Sequence, residues 1–265
     1  MIKLKDLLIE SVFDKSILKC VFLAGGPGSG KTYVTKGLFG IPESSVAVSS
    51  KYDMKLVSSD TAFEFLLKKY GFETFGTGKL DIDKWPEEVF IAATGADRSG
   101  KSHEDEESPS IRQKAKWMTK DKLKLYTEGR LGIIMDGTGH DYENIKKKKD
   151  KIEKLGYDTF MVFVNTSLKV ALERNENRDR SLPKQVVTDS WEDVQDNLGK
   201  FQGLFKSNFR IVDNSKFLSE KQATAKFKSI MGQGIDKFVS KSVKNSIGIK
   251  WIAHQKALIK NKKRH

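Results

Sequence analysis

With a single cysteine, the chain cannot form an internal disulfide, which fits a reducing cytoplasm. Cys20 runs into Val21-Phe22-Leu23-Ala24, an apolar setting that marks it as a small core residue rather than a nucleophile. No apolar run approaches the roughly 20 residues of a membrane span. The amino terminus, MIKLKDLLIESVF, interleaves charges with Ile2, Leu4, Leu7, Leu8 and Val12 at helical spacing. It lacks the unbroken apolar stretch of a secretion signal. There is no internal repeat. Carboxylates are scarce at one end only: residues 216–265 hold 13 Lys and Arg against 2 Asp and Glu, and the rest of the chain holds 35 against 33. The net charge of +13 therefore belongs mostly to the carboxyl-terminal tail. A basic tail suits an anionic partner such as nucleic acid. Its cations interleave with Phe227, Ile230, Phe238, Val239, Ile249, Trp251, Ile252 and Leu258, which predicts amphipathic helices over 215–265 rather than a loose arm.

What is present supports a core. Over 265 residues, 38% hydrophobic content suffices for one sizeable α/β unit plus an appendage, and is too high for a wholly disordered chain. Apolar runs predict strands at Lys19–Ala24, Lys55–Ser58, Leu131–Asp136, Thr159–Val164 and Phe209–Val212. Helical spacing predicts helices over 2–14, 32–39, 61–70, 111–129, 141–155, 168–179 and 191–205. Residues 71–110, with five glycines and an acidic run from His103 to Glu107, are expected to be an irregular, lid-like insertion. Strand and helix alternate five times, the pattern of a parallel sheet covered on both faces. Ligands of such sheets sit at the carboxyl ends of the strands.

The unusual residues lie at those ends. Gly25-Gly26-Pro27-Gly28-Ser29-Gly30-Lys31-Thr32 matches GxxxxGK[ST] between a strand and a helix. Glycines let backbone amides wrap phosphates, and the helix adds its positive end. Lys31 supplies a cation to the β- and γ-phosphates of ATP, and the Thr32 hydroxyl is a ligand for Mg²⁺. Gly95–Ser102 fits the same pattern, but acidic residues and Pro109 follow it, so it is expected to be a decoy. Asp136 ends an apolar strand in the manner of a Walker B carboxylate, a second candidate metal ligand, followed by Gly137-Thr138-Gly139. Asp60, after the second strand, is a candidate base for an attacking hydroxyl, unless it or Ser59 merely caps the next helix. Arg174 and Arg178 are four apart, on one helical face, and are candidate lid ligands for the γ-phosphate.

Four pieces in this order, GGPGSGKT, Ser59-Asp60, Asp136-Gly137-Thr138-Gly139, and Glu173-Arg174-Asn175 with Arg178 and Arg180, resemble zeta-toxin-like and polynucleotide-kinase-like P-loop kinases, including phage forms. The resemblance spans about residues 19–214. It implies a P-loop NTPase fold with a five-stranded parallel sheet in the order 2-3-1-4-5. It also implies that Asp60 is the base, that Arg174 and Arg178 are lid ligands, and that Val212-Asp213-Asn214 lie on the adenine side. The expected organisation is a kinase domain over 1–214 and a basic helical tail over 215–265. The expected activity is transfer of the γ-phosphate of ATP to a hydroxyl: a polynucleotide 5′-end, a nucleotide sugar or another small molecule. The alternative is a nucleic-acid-binding ATPase that phosphorylates no acceptor. The expected setting is the cytoplasm, that of the host if a phage encodes the chain.

Overall fold

The structure is a computed structural model that describes residues 12–40, 52–72, 85–177, 182–216, 220–230 and 234–262. Most of the helix expected over 2–14 lies outside the described residues, as do Arg178 and Arg180. The elements are β1 (Lys19–Ala24), α1 (Lys31–Phe39), β2 (Lys55–Val57), α2 (Ser59–Lys69), α3 (Glu87–Thr94), α4 (Ile111–Glu128), β3 (Ile133–Asp136), α5 (Tyr142–Lys154), β4 (Asp158–Asn165), α6 (Leu168–Glu176), α7 (Lys184–Phe205), β5 (Phe209–Asp213), α8 (Glu220–Ile230), α9 (Asp236–Ser240) and α10 (Ser246–Lys262). The five strands form one parallel sheet in the order β2-β3-β1-β4-β5, as expected.

The period-2 alternation of each strand divides its side chains between two cores. Cys20, Phe22 and Ala24 of β1 join Met161 and Phe163 of β4 on one face. That face is covered by Ile145 and Ile152 of α5 and by Val194, Phe201 and Phe205 of α7. Val21, Leu23, Phe160, Val162 and Val164 line the other face, against Val34, Leu38 and Phe39 of α1. Each fully buried side chain of this kind contributes about 1.5–3 kcal/mol. A third cluster, Ala62, Phe63, Leu66, Leu67, Trp85, Ala93, Ile111 and Ala115, holds α2, α3 and α4 together beyond β2.

The structure departs from expectation at several boundaries. The stretch 71–110 contains α3, whose Ala93 is buried in the third cluster and which ends at Gly95 in the left-handed region. Its apolar run is too short to declare a helix by period alone; tertiary packing decides it. Strand β3 begins at Ile133 rather than Leu131, because the Leu131 amide still bonds to Tyr126 O at the end of α4. Helix α7 begins at Lys184, just after Pro183, not at Trp191.

Residues beyond 214 pack on the sheet. Phe227 of α8, Ile235, and Phe238 and Val239 of α9 are buried in the α1 core, while Trp251 and Ile252 of α10 pack against the opposite one. A Cβ on Gly37 of α1 would lie 2.2 Å from the Phe227 ring, so the contact of α8 requires glycine there. Gly248 of α10 meets Gly156 just as closely: a Cβ on Gly248 would lie 2.3 Å from Gly156 O.

Candidate functional site

The loop Gly25–Gly30 leaves the carboxyl end of β1 and feeds directly into α1. Three of its glycines have positive φ: Gly25 at 156°, Gly28 at 69° and Gly30 at 82°. Gly28 is the most constrained, since a Cβ there would sit 2.1 Å from Ala171 O of α6. Thr32 lies exposed in the first turn of α1. The Lys31 ammonium curls back to donate to Gly25 O at 2.6 Å and Gly26 O at 3.2 Å, across the concave side of the loop.

Strand β3 brings the second group. Its register pairs Asp136 with Leu23, the residue two before Gly25. Gly137 N donates to Leu23 O and Gly25 N to Thr138 O, both at 3.0 Å, so the Asp136-Gly137-Thr138 turn is zipped to the loop's entrance. Asp136 Oδ2 accepts from Ser58 Oγ at 3.0 Å, whereas Asp136 Oδ1 is buried with no hydrogen-bond partner among the described residues. Burial pushes the Asp136 carboxyl above the usual carboxylate range; the charge of Lys31 opposes this, and the charge of Asp60 adds to it. Those couplings bring Lys31, Asp136 and Asp60 into one electrostatic neighbourhood. An unpartnered carboxylate oxygen at the end of β3 and an exposed threonine hydroxyl in the first turn of α1 are oxygen donors of the kind a hard cation such as Mg²⁺ takes.

Asp60 stands in the first turn of α2, and it is not the cap. Ser58 caps the helix, accepting from Thr61 N at 3.3 Å. Its partner is Arg112 of α4, with Nη1 2.8 Å from Oδ1. Arg112 also lies over the Phe63 ring at 5.0 Å. Arg174 of α6 reaches the loop, with Nη1 3.4 Å from Ser29 O. Desolvation lowers its pKa, as expected for a guanidinium drawn into the fold.

Sequence reasoning missed three supports, and a fourth contact comes from Asn214, which the resemblance put on the adenine side. Ser58 joins the start of α2 to Asp136. Arg112 faces Asp60. Asn197 of α7 donates to Gly139 O at 3.2 Å and His140 O at 2.7 Å, fixing the turn after β3. Asn214, after β5, donates to Ser29 O at 2.8 Å and so touches the phosphate loop itself. Gly95–Ser102, by contrast, closes on an Ala96–Ser102 bridge, and no helix starts at Ser102; the next begins only at Ile111.

A strand-loop-helix phosphate cradle on a parallel sheet of order 2-3-1-4-5 defines a P-loop protein of kinase-like fold. Residues 21–201, more than half of the chain, match the AAA domain family, and the chain belongs to it. Solved structures of similar shape include a candidate kinase from Chloroflexus aurantiacus j-10-fl, 13% identical, with a TM-score of 0.47 over 81% of this chain and 97% of that one. The PezAT toxin–antitoxin system of Streptococcus pneumoniae gives 11% identity and a TM-score of 0.42, over 84% and 87% of the two chains. Shikimate kinase from Acinetobacter baumannii gives 15% and 0.39, over 84% and 96%. A comparison with curated proteins gives no match.

The Asp136 environment makes a prediction about stability. A carboxyl whose folded pKa is raised stabilises the fold at pH values below its unfolded pKa, and that contribution is lost as pH rises through the folded pKa. Above the unfolded pKa, and so at neutral pH, the buried carboxyl is therefore a cost. Asp136→Asn should raise the melting temperature at pH 7 by about 2–4 °C for each kcal/mol relieved. The gap should close as pH falls through the Asp136 titration. The same variant should lose magnesium-dependent nucleotide affinity. Thermal melts across pH, with nucleotide titrations, check both; a variant less stable than the parent at pH 7 contradicts the reading.

Proposed function

We propose that the protein is an ATP-dependent kinase that transfers the γ-phosphate to a hydroxyl acceptor. The observation that carries this reading is the hydrogen bond from Ser58 to Asp136, which ties the start of α2, with Asp60 in its first turn and the Arg112 guanidinium paired to it, to the strand end beside the phosphate loop. A slow switch ATPase needs the cradle, but it has no need of an acceptor-side carboxylate set on a separate helical unit.

Amides of Gly25–Gly30 and the Lys31 ammonium bind the triphosphate. Thr32 and Asp136 would hold Mg²⁺, which when bound screens the phosphate charges. Asp60 accepts the proton of the attacking hydroxyl. Arg174, together with Arg178, closes on the transferring group, where such contacts are worth roughly 10³–10⁵ in rate. Arg112 orients Asp60 and is free in charge type to pair with an anionic group of the acceptor, which suits the zeta-toxin-like and polynucleotide-kinase-like acceptors: nucleotide sugars and nucleic-acid 5′-hydroxyl ends.

The test is incubation with γ-labelled ATP, Mg²⁺ and a panel of acceptors: DNA and RNA 5′-hydroxyl ends, nucleotide sugars and nucleosides. Label should appear on one acceptor class. Phosphate released only to water, with every acceptor unlabelled, defeats the proposal in favour of an ATPase.

A further inference from the structure

We infer that the protein carries a second anion-binding site, for phosphate groups, at the amino ends of β1, β4 and β5. A cavity of about 480 Å³ opens there. Lys19 begins β1 on this side, and Gly25 follows β1 on the other, so about 17 Å of strand separates the cavity from the phosphate loop. The two sites therefore lie at opposite ends of the sheet.

The charges around the cavity do not cancel. Its carboxylates are already engaged. Asp158 accepts from Lys19 Nζ at 2.9 Å and from the amides of Lys244 and Asn245, each at 2.9 Å. Glu153 takes the Lys149 ammonium at 2.8 Å and the Thr159 hydroxyl at 2.6 Å. Arg210, Lys237, Lys241 and Lys244 also line the cavity, and none of their side chains makes an ion pair among the described residues.

The wall behind these cations is fixed. The Phe160 and Phe238 rings pack at 5.1 Å between centroids, and Arg210 lies 5.9 Å over the Phe160 ring. Arg210 Nη1 is held by Ser207 O at 3.1 Å and Phe209 O at 2.7 Å. Ser242 adds a neutral hydroxyl and Asn208, which spends one amide hydrogen on Thr159 O at 3.0 Å, adds its second, whereas Asn245 is engaged by Glu153 O and Tyr157 O. Four cations and neutral donors around one concave, partly aromatic surface suit a phosphate-bearing ligand. Three of the four come from the lysine-rich tail, so the tail's packing on the sheet is what concentrates its charge at this spot.

The phosphates can come from a nucleic-acid backbone or from a small free anion, and the test separates the sources. Full-length protein is titrated with a labelled single-stranded oligonucleotide and, separately, with inorganic pyrophosphate. A non-hydrolysable ATP analogue is held in excess throughout to occupy the phosphate loop. The triple variant Lys237→Gln/Lys241→Gln/Lys244→Gln removes exposed charge from the cavity. Lys250→Gln/Lys256→Gln/Lys260→Gln removes as much from α10, outside it. The cavity variant should bind the oligonucleotide about tenfold or more weakly, with the salt slope reduced by about 0.7 for each lost phosphate contact, while the α10 variant stays near the parent. Pyrophosphate binding lost only in the cavity variant, without oligonucleotide binding, assigns the site to a small anion. Equal losses in both variants, or no binding of either probe, overturns the inference. Affinity for the ATP analogue, measured alone, should be unchanged in both variants, which keeps failure here distinct from failure of the kinase reading.

Discussion

Asp60→Asn should slow phosphoryl transfer about 10²–10⁴-fold, the range lost when a positioned base is removed, while leaving the affinity for magnesium-nucleotide nearly unchanged. Asp60 is separated from the phosphate loop by the turn of β2 into α2, and Ser58 rather than Asp60 caps that helix. The substitution therefore removes no cap, and asparagine still accepts from Arg112. What is lost is the carboxylate's charge and, with it, proton acceptance. Arg112→Ala gives the complementary result. It should raise KM for an anionic acceptor more than it lowers kcat, because the guanidinium orients and binds without receiving the proton. The measurement is steady-state kinetics with varied acceptor, beside nucleotide binding at equilibrium. If Asp60→Asn matches the parent in transfer rate, the base lies elsewhere and the acceptor side of the site has been misassigned.

The parts of this site that the sequence disclosed are those built from one continuous segment. Gly25–Thr32 is a local device: a buried strand, a run of glycines and a helix start suffice to declare it. The sheet was legible for the same reason, since five apolar runs separated by helical spacing leave few topologies. What escaped is non-local. Ser58 and Asp136 are 78 positions apart, and Asn214 and Ser29 are 185 apart; nothing in either neighbourhood announces the hydrogen bond between them. Arg112 carries no local signal: only the packing of α4 on α2 sets it against Asp60. Helix α3 was hidden because eight residues carry too little period, and its packing on Trp85 and Ile111 supplies what the pattern lacks. Asp60 itself was ambiguous between cap and base. The cap geometry of Ser58, a side-chain orientation that sequence does not encode, removes the first option.

Lys31→Met should lower turnover by about 10²–10³-fold, the loss typical of removing one fixed donor to a developing charge. Two consequences of the geometry follow from this one side chain. The ammonium bridges Gly25 O and Gly26 O, so it braces the loop as well as presenting a charge to phosphates. Its charge is also the strongest influence holding the Asp136 carboxyl down against its burial. Removing it should therefore shift Asp136 further upward and weaken magnesium-dependent nucleotide binding, the more so as pH falls and that carboxyl takes up its proton. Arginine should not restore activity. Its planar fork cannot reproduce a compact ammonium seated on two carbonyls of a glycine loop whose Cβ positions are closed by Val164, Ala171 and Asn214. Rates and nucleotide affinities for the parent, Lys31→Met and Lys31→Arg across pH decide the matter. A methionine variant that turns over at the parental rate, or whose magnesium dependence has the parental pH profile, removes Lys31 from both roles and with it the link between the cradle and the metal carboxylate.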